Sequence, residues 1–339
     1  MKSAVIITVY KRYKYIDEAL NSVLSQTVKP DQIIIVADNP KMLNNPINAT
    51  VIEADYPQLG KKIFEAVNAL RDDIDIVYFL EDDDMFHENK IEYINKIFEK
   101  RRDIVTVHNS RKLIDENGND LNYELDKIPF EVLLNKNNFG KINRQYHLEL
   151  SNNSSYSIRR EFLEEIKKSL IRVDMAVDMA LLYLSLEHNN LLHIPEKLTI
   201  YRVGSGISKY SKVTDYYRFL ENKNKIVCLF NRALEDSRYL SSLITSCKEC
   251  KKDIQRSILF LELYLSAENE VFKCSYKAQL PSLDSIFLSS IRYYLDGTIS
   301  VKDLYNVTKG VLAQLILGRK KVSEMRSKRD FESLQNIKT

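Results

Sequence analysis

Four consecutive acids, Glu81-Asp82-Asp83-Asp84, stand directly after the apolar run Ile76-Val77-Tyr78-Phe79-Leu80. Carboxylates at this spacing repel one another and disfavour joint ionisation unless a cation offsets the charge. Their hard oxygens suit Mg²⁺ or Mn²⁺, which proteins commonly hold through one or two carboxylates plus the phosphates of a ligand. A solvated acidic turn capping the next helix is the competing reading, because acids meet the positive end of a helix dipole there. Solubility alone explains poorly why four acids follow a buried strand. Two other apolar runs end on chemistry-bearing residues: Tyr10-Lys11-Arg12 follows Ala4 to Val9, and Asp38-Asn39 follows Ile33 to Ala37. The Tyr10 ring is either a surface phenol or a platform for a nucleobase. Asp38 either closes an Asx turn or accepts from a base or ribose donor.

Ligands of an open parallel sheet bind outside the carboxyl ends of its strands, so the three groups need strands that end side by side. The sequence supplies them. Ile16, Ala19, Leu20, Val23 and Leu24 recur at helical spacing after the first strand. Thr50 to Ala54 reads as a third strand, Ile63, Ala66, Val67 and Leu70 as a second helix, and Ile74 to Leu80 as the fourth strand. Ile91, Ile94 and Phe98 mark a third helix, and Ile104 to His108 a further strand. Strand-helix-strand units with near-continuous apolar strands predict an α/β fold, a mainly parallel sheet flanked by helices.

Beyond residue 109 the pattern loosens. Asp115-Glu116-Asn117-Gly118 is a turn signal. Expected after it are a helix near 129–136, a strand at Ser155 to Ile158, helices near 160–169 and 176–188, and strands at Leu191 to Ile194 and Leu198 to Val203. From about 212 the apolar spacing is helical throughout, through Leu220, Ile226, Leu229, Ile258, Leu261 and Leu265. A boundary near 210 predicts one domain over 1–210 and an all-helical region over 211–339.

Composition narrows the class. The 339 residues carry 50 Lys and Arg against 47 Asp and Glu, a net charge of +3, without the broad basic footprint of a nucleic-acid binder. Hydrophobic residues at 44% exclude a disordered chain, and 8 Gly with 7 Pro imply one rich in regular elements. No apolar run reaches the roughly 18 residues of a membrane span, and the N-terminal run is too short for a secretory signal, so the chain reads as cytoplasmic. Cys247-x-x-Cys250 has no second pair to complete a zinc site, and with Cys228 and Cys274 it reads as buried, inert thiol. His193, before Ile194-Pro195, reads as a satisfied histidine at a strand end.

Taken together these segments resemble a known family. Val5-Ile6-Ile7-Thr8-Val9-Tyr10-Lys11-Arg12, then Tyr15-Ile16-x-Glu18-Ala19-Leu20-x-Ser22-Val23-Leu24-x-Gln26-Thr27 and Ile33-Ile34-Ile35-Val36-Ala37-Asp38, resemble the opening of a family 2 glycosyltransferase of the GT-A fold. Phe79-Leu80-Glu81-Asp82-Asp83-Asp84 is similar to its acidic metal motif, Ser154 to Glu161 to its acceptor-side strand, and Ile194 to Val203 with Ser205-x-x-Ser208 to its domain-closing segment. The resemblance covers about 3–210. It implies a Rossmann-like GT-A sheet and inverting transfer of a sugar from a nucleoside diphosphate donor to a sugar or lipid-linked acceptor. It also implies Mn²⁺ or Mg²⁺ as cofactor, with Tyr10 and Asp38 on the base, Asp82 on the ribose, Arg12 on the nucleotide, and Asp83 with Asp84 on the metal. The general base it implies is Asp178, with Asp174 as alternate. Three departures stand out: Val177-Asp178-Met179-Ala180 stands where the family usually has an acidic pair and a following aromatic-acid pair, Glu81 replaces a usual aspartate, and Gly204 stands where the family often carries a histidine.

Two other functions share the pattern. A sugar nucleotidyltransferase uses a related sheet but needs a Gly-rich phosphate loop, which Tyr10-Lys11-Arg12 lacks. A nucleotide-binding scaffold that has lost its base is the other. At the tail, apolar Val311 to Leu317 precedes a basic stretch over 319–330. This reads either as a core helix followed by a frayed, solvated tail or as peripheral contact of 311–330 with an anionic membrane.

Overall fold

The computed structural model describes residues 1–44, 48–122, 128–146, 150–204 and 215–336. Two compact units emerge, Met1–Ser205 with Ile244–Cys250, and Gly206–Leu243 with Lys251–Thr339. The boundary expected near 210 and the Ser205-x-x-Ser208 motif fall outside the described residues.

In the first unit the chain runs β1 (Ser3–Val9), α1 (Ile16–Leu24), β2 (Gln32–Ala37), β3 (Ala49–Glu53), α2 (Leu59–Asn68), β4 (Ile76–Glu81), β5 (Met85–Phe86) and α3 (Lys90–Lys100). It continues through β6 (Thr106–Ile114), β7 (Val132–Leu134), α4 (Phe139–Tyr146), β8 (Tyr156–Arg159), α5 (Arg160–Leu170), α6 (Val177–His188) and β9 (Leu191–Arg202). One sheet holds the strands in the order β3-β2-β1-β4-β8-β6-β9-β5, with β7 also on β9. Pairings among β1, β2, β3 and β4 and between β6 and β9 are parallel, and the shorter ones made by β8, β7 and β5 are antiparallel. This is the expected α/β, GT-A arrangement.

The core explains the order. Val5, Ile7, Ile33, Ile35, Tyr78 and Leu80 pack on one face against Ile16, Ala19 and Val23 of α1 and Ile91, Ile94 and Phe98 of α3. Ala4, Ile6, Ile34, Val36 and Val77, on alternate positions, are buried as well. Both faces are therefore covered, which is what a continuous apolar strand requires.

Three expectations are corrected. The helix near 129–136 is instead β7, paired to β9, followed by α4: a short apolar run does not separate helix from strand, and pairing with β9 decides it. The two strands at Leu191 to Ile194 and Leu198 to Val203 are the single β9, whose register against β6 shifts between Asn109 and Arg111, opposite Pro195. The cysteines are not thiols: Cys228 pairs with Cys274 and Cys247 with Cys250, each with a Cα separation of 5.3 Å, ordinary for a disulfide. Counting spacings for zinc could not reveal a partner 46 residues away.

The described elements of the second unit are helices: α7 (Tyr216–Leu243), α8 (Lys248–Glu268), α9 (Leu283–Leu295), α10 (Val301–Leu317) and α11 (Arg319–Asn336). The tail is not frayed over α11. Arg326 pairs with the fully buried Glu268 at 2.6 Å, and Ser323 donates to the same carboxylate at 2.7 Å. Lys223, also fully buried, lies 3.7 Å from Glu268 and 3.2 Å from Asp330. No helix among the described residues is long and apolar enough to cross a membrane.

Candidate active site

The carboxyl ends of β1, β2 and β4 lie side by side because these three strands are neighbours in parallel register. Lys11 turns the chain after β1 with a left-handed φ of 57°. Its N–H donates to Asp38 Oδ1 at 2.9 Å, and the Tyr13 hydroxyl donates to the same oxygen at 2.8 Å. These bonds hold the Asp38 carboxyl below its usual range against the cost of its burial. Lys62, buried in α2, donates to the Val9 carbonyl at 2.7 Å and sits 4.6 Å from the Tyr10 ring centre. Desolvation brings its ammonium down to about 8.

The acids after β4 divide into two groups. Arg12 bridges Asp82 at 2.5 Å and Asp83 at 2.7 Å. Glu81, Asp83 and Asp84 each offer a carboxylate oxygen within 4.8 Å of the others. Burial, reinforced by the neighbouring carboxylates, raises Glu81 to about 8 and Asp84 to about 6. Asp82 is likewise raised to about 8, chiefly by burial, and its buried Oδ2 has no hydrogen-bond partner among the described residues. Such groups hold protons unless a cation or a donor reaches them. The oxygen-only donor set fits Mg²⁺ or Mn²⁺. Glu81 thus lies with Asp83 and Asp84, the two acids that the family resemblance placed on the metal.

A second layer fixes this cluster. Asn152, at a left-handed φ of 87° that asparagine tolerates, donates from Nδ2 to Asp84 Oδ2 at 2.8 Å, and Asn153 donates to Glu81 at 2.9 Å. Ser154 Oγ accepts from the Glu81 N–H at 3.0 Å. From the end of β9, the Arg202 N–H donates to Asp84 at 3.1 Å while its guanidinium reaches the Asp83 carbonyl at 3.1 Å and Glu18 at 2.6 Å. Lys90, fully buried, donates to the Ser154 carbonyl and to Thr199, and desolvation holds it well below its ordinary value.

Asp178 is the second residue of α6, whose N-cap is Ala176. Its Oδ2 accepts from the Asn152 N–H at 2.9 Å, and its Oδ1 from the Met179 N–H at 2.8 Å. Asn152 therefore links Asp178 to Asp84. Burial raises the Asp178 carboxyl, with those two N–H groups and the Arg111 charge opposing. Asp174 lies in the loop before α6, where its carbonyl accepts from the Leu59 N–H at 2.9 Å. The end of α5 and that loop pack so tightly on the start of α2 that a Cβ on Gly60 would meet the Leu170 carbonyl oxygen at 1.9 Å and the Val173 carbonyl oxygen at 2.6 Å. Through Asn152 the hydrogen bonds thus join Asp178 to the acidic cluster. His193 is paired with His108 inside the sheet, their Nδ1 atoms 3.0 Å apart, as expected of a satisfied histidine.

Residues 4–167 match the family model described as glycosyl transferase family 2. This part of the chain is a family 2 glycosyltransferase domain. An uncharacterised glycosyltransferase of Rickettsia conorii is 33% identical over 129 residues, covering 35% of this chain and 21% of the relative. One of Methanocaldococcus jannaschii is 29% identical over 188 residues, covering 50% of this chain and 60% of that one. The chain thus spans less than two thirds of the curated relatives it matches. Among solved structures, S. aureus TarS superposes with a TM-score of 0.58 at 16% identity, over 96% of this chain and 55% of TarS, a likeness of fold alone.

Within the glycosyltransferase domain, sequence reasoning passed over Lys62, Lys90, Asn152, Asn153 and Arg202 as site residues. Asn152-Asn153-Ser154 carried a usable signal, small polar residues immediately before a strand. Lys62 and Lys90 carried none, since a lysine on an amphipathic helix ordinarily faces solvent.

Proposed function

We propose that this chain is a metal-dependent inverting glycosyltransferase that moves a sugar from a nucleoside diphosphate donor to a hydroxyl of a sugar or lipid-linked acceptor. The observation that supports this best is the convergence of Glu81, Asp83 and Asp84 within 4.8 Å at the end of β4, beside the partnerless Asp82 oxygen. Those three carboxylates would hold Mn²⁺ or Mg²⁺. When bound, the metal neutralises charge that grows on the departing diphosphate. Tyr10 offers its ring to the base and Asp38 its remaining acceptor capacity, while Asp82 Oδ2 accepts from a ribose hydroxyl. Arg12, already holding Asp82 and Asp83, fixes both carboxylates for the nucleotide. Asp178 takes the proton of the attacking hydroxyl, its raised pKa bringing it nearer the range in which a general base works at neutral pH.

Hydrolysis of a panel of nucleotide sugars, with and without Mn²⁺, tests this reading. UDP-N-acetylglucosamine comes first, because TarS 1-349, which superposes with a TM-score of 0.50 at 13% identity over 92% of this chain and 91% of that one, was solved in complex with it. Metal-stimulated cleavage of one donor is the expected result. Tight nucleotide binding with no turnover of any donor would instead make the protein a scaffold.

A further inference from the structure

The helical unit leaves an apolar face uncovered. Leu283 and Ile286 of α9 and Val307 and Val311 of α10 pack on Leu259 and Leu263 of α8. The opposite flanks, Leu288 and Leu295 on α9 and Val301, Tyr305, Leu312 and Ile316 on α10, are exposed, Leu295 at 78% and Ile316 at 76%. Their spacings of four and seven residues make one stripe per helix. Exposed apolar residues gathered in this way mark an interaction surface more often than singly scattered ones do.

We propose that this face docks peripherally on an anionic lipid bilayer. Charge on the face decides the occupant. Exposed Arg292, Lys302 and Lys309 lie between the apolar residues, and Lys320 and Lys321 follow the end of α10. Asp284 and Asp296 are the exposed acids of α9 and its following turn, and Asp296 is engaged by the Thr298 N–H and hydroxyl. A second copy docked face to face would bring the same excess of cations to both sides of the contact, which opposes self-association. Anionic headgroups neutralise them, while lysine stems and the Tyr305 ring suit the boundary between acyl chains and headgroups.

The contact expected over 311–330 is thereby moved. Gly318, at a left-handed φ of 82°, ends α10, and α11 turns Ser323, Arg326 and Ser327 inward. The docking face is the outer side of the α9–α10 hairpin with the first turn of α11. The capping box of Ser300 and Asp303 fixes the start of α10 and so the direction in which its stripe points.

The test is sedimentation of the full chain with vesicles of phosphatidylglycerol and phosphatidylcholine in equal parts, and with phosphatidylcholine alone. The wild type is expected to pellet with the anionic vesicles only. Both L295Q/L312Q/I316Q and R292Q/K302Q/K309Q should weaken that partitioning by about tenfold or more, with helix content and donor hydrolysis retained. Wild-type pelleting with neither vesicle, or unchanged pelleting of both variants, overturns the proposal. A wild-type dimer in the ultracentrifuge that becomes monomer in the apolar variant overturns it in favour of a second copy. Should the apolar variant lose helicity, wild type decides: release from anionic vesicles by high salt supports docking, and retention contradicts it. The inference stands apart from the transferase reading, which no outcome here touches.

Discussion

Both units of this protein bury acids, and they treat them differently. In the helical unit Glu268 is fully buried yet has Arg326 at 2.6 Å, Lys223 at 3.7 Å and the Ser323 hydroxyl at 2.7 Å. In the transferase domain Glu81 and Asp84 are met by the neutral amides of Asn153 and Asn152, and each is raised well above an ordinary carboxylate. The first arrangement closes on itself and serves to hold α7, α8 and α11 together. In the second, Arg12 reaches Asp82 and Asp83, while the side chains that meet Glu81 and Asp84 are neutral, at the carboxyl end of β4 inside the sheet. Buried acid by itself distinguishes neither case; the presence of matched cations does.

The sharpest way to break this comparison is to remove one acid from each side. Glu268→Ala takes from Arg326 its ion pair and leaves the buried Lys223 with Asp330 alone, and should cost about 3–5 kcal/mol in urea unfolding. Asp84→Asn removes one of several repelling charges and should leave the midpoint unchanged or raise it. Equal losses would mean that both clusters are structural.

A second effect separates chemistry from scaffolding within the transferase domain. Asp178→Asn keeps one acceptor oxygen for two N–H donors, so stability should fall by about 1 kcal/mol while turnover falls about a hundredfold or more. The same change at Asp174, in the loop before α6, should leave turnover within a few fold if Asp178 is the base, and collapse it if Asp174 is. Turnover retained in Asp178→Asn would reduce that residue to a tie between α6 and Asn152.

The smallest effect concerns a third treatment of an acid. Glu187, near the end of α6, accepts from the Thr245, Ser246 and Cys247 N–H groups and is lowered to about 2. A carboxylate lowered in the folded state contributes stability above its unfolded value, near 4.5, and loses it as pH falls toward 2. The melting temperature of the wild type should therefore drop through that window more steeply than that of Glu187→Gln.

Where the sequence could be read, one element carried its own evidence. The apolar runs of β1, β2 and β4 need partners on both faces, so their ends, and with them Tyr10, Asp38 and the four acids, were legible. β7 and the long β9 were not, because a short apolar segment takes its form from the strand it meets and Pro195 at an irregular register imitates a strand end. β6 was cut short at His108 because Asn109, Ser110 and Arg111 look exposed and are in fact buried. The layer behind the metal cluster was hidden for a related reason: Asn152 and Arg202 meet Asp84 across 68 and 118 residues of chain, a distance no local pattern encodes.

The central claim is that Glu81, Asp83 and Asp84 form a site that takes up a divalent cation together with the nucleotide. Calorimetric titration of UDP into the wild type and into Glu81→Gln/Asp83→Asn/Asp84→Asn, each with and without Mn²⁺, tests it directly. Mn²⁺ should strengthen UDP binding to the wild type by about tenfold or more and leave the triple variant unaffected. Wild-type affinity that is the same with and without Mn²⁺ would contradict the account.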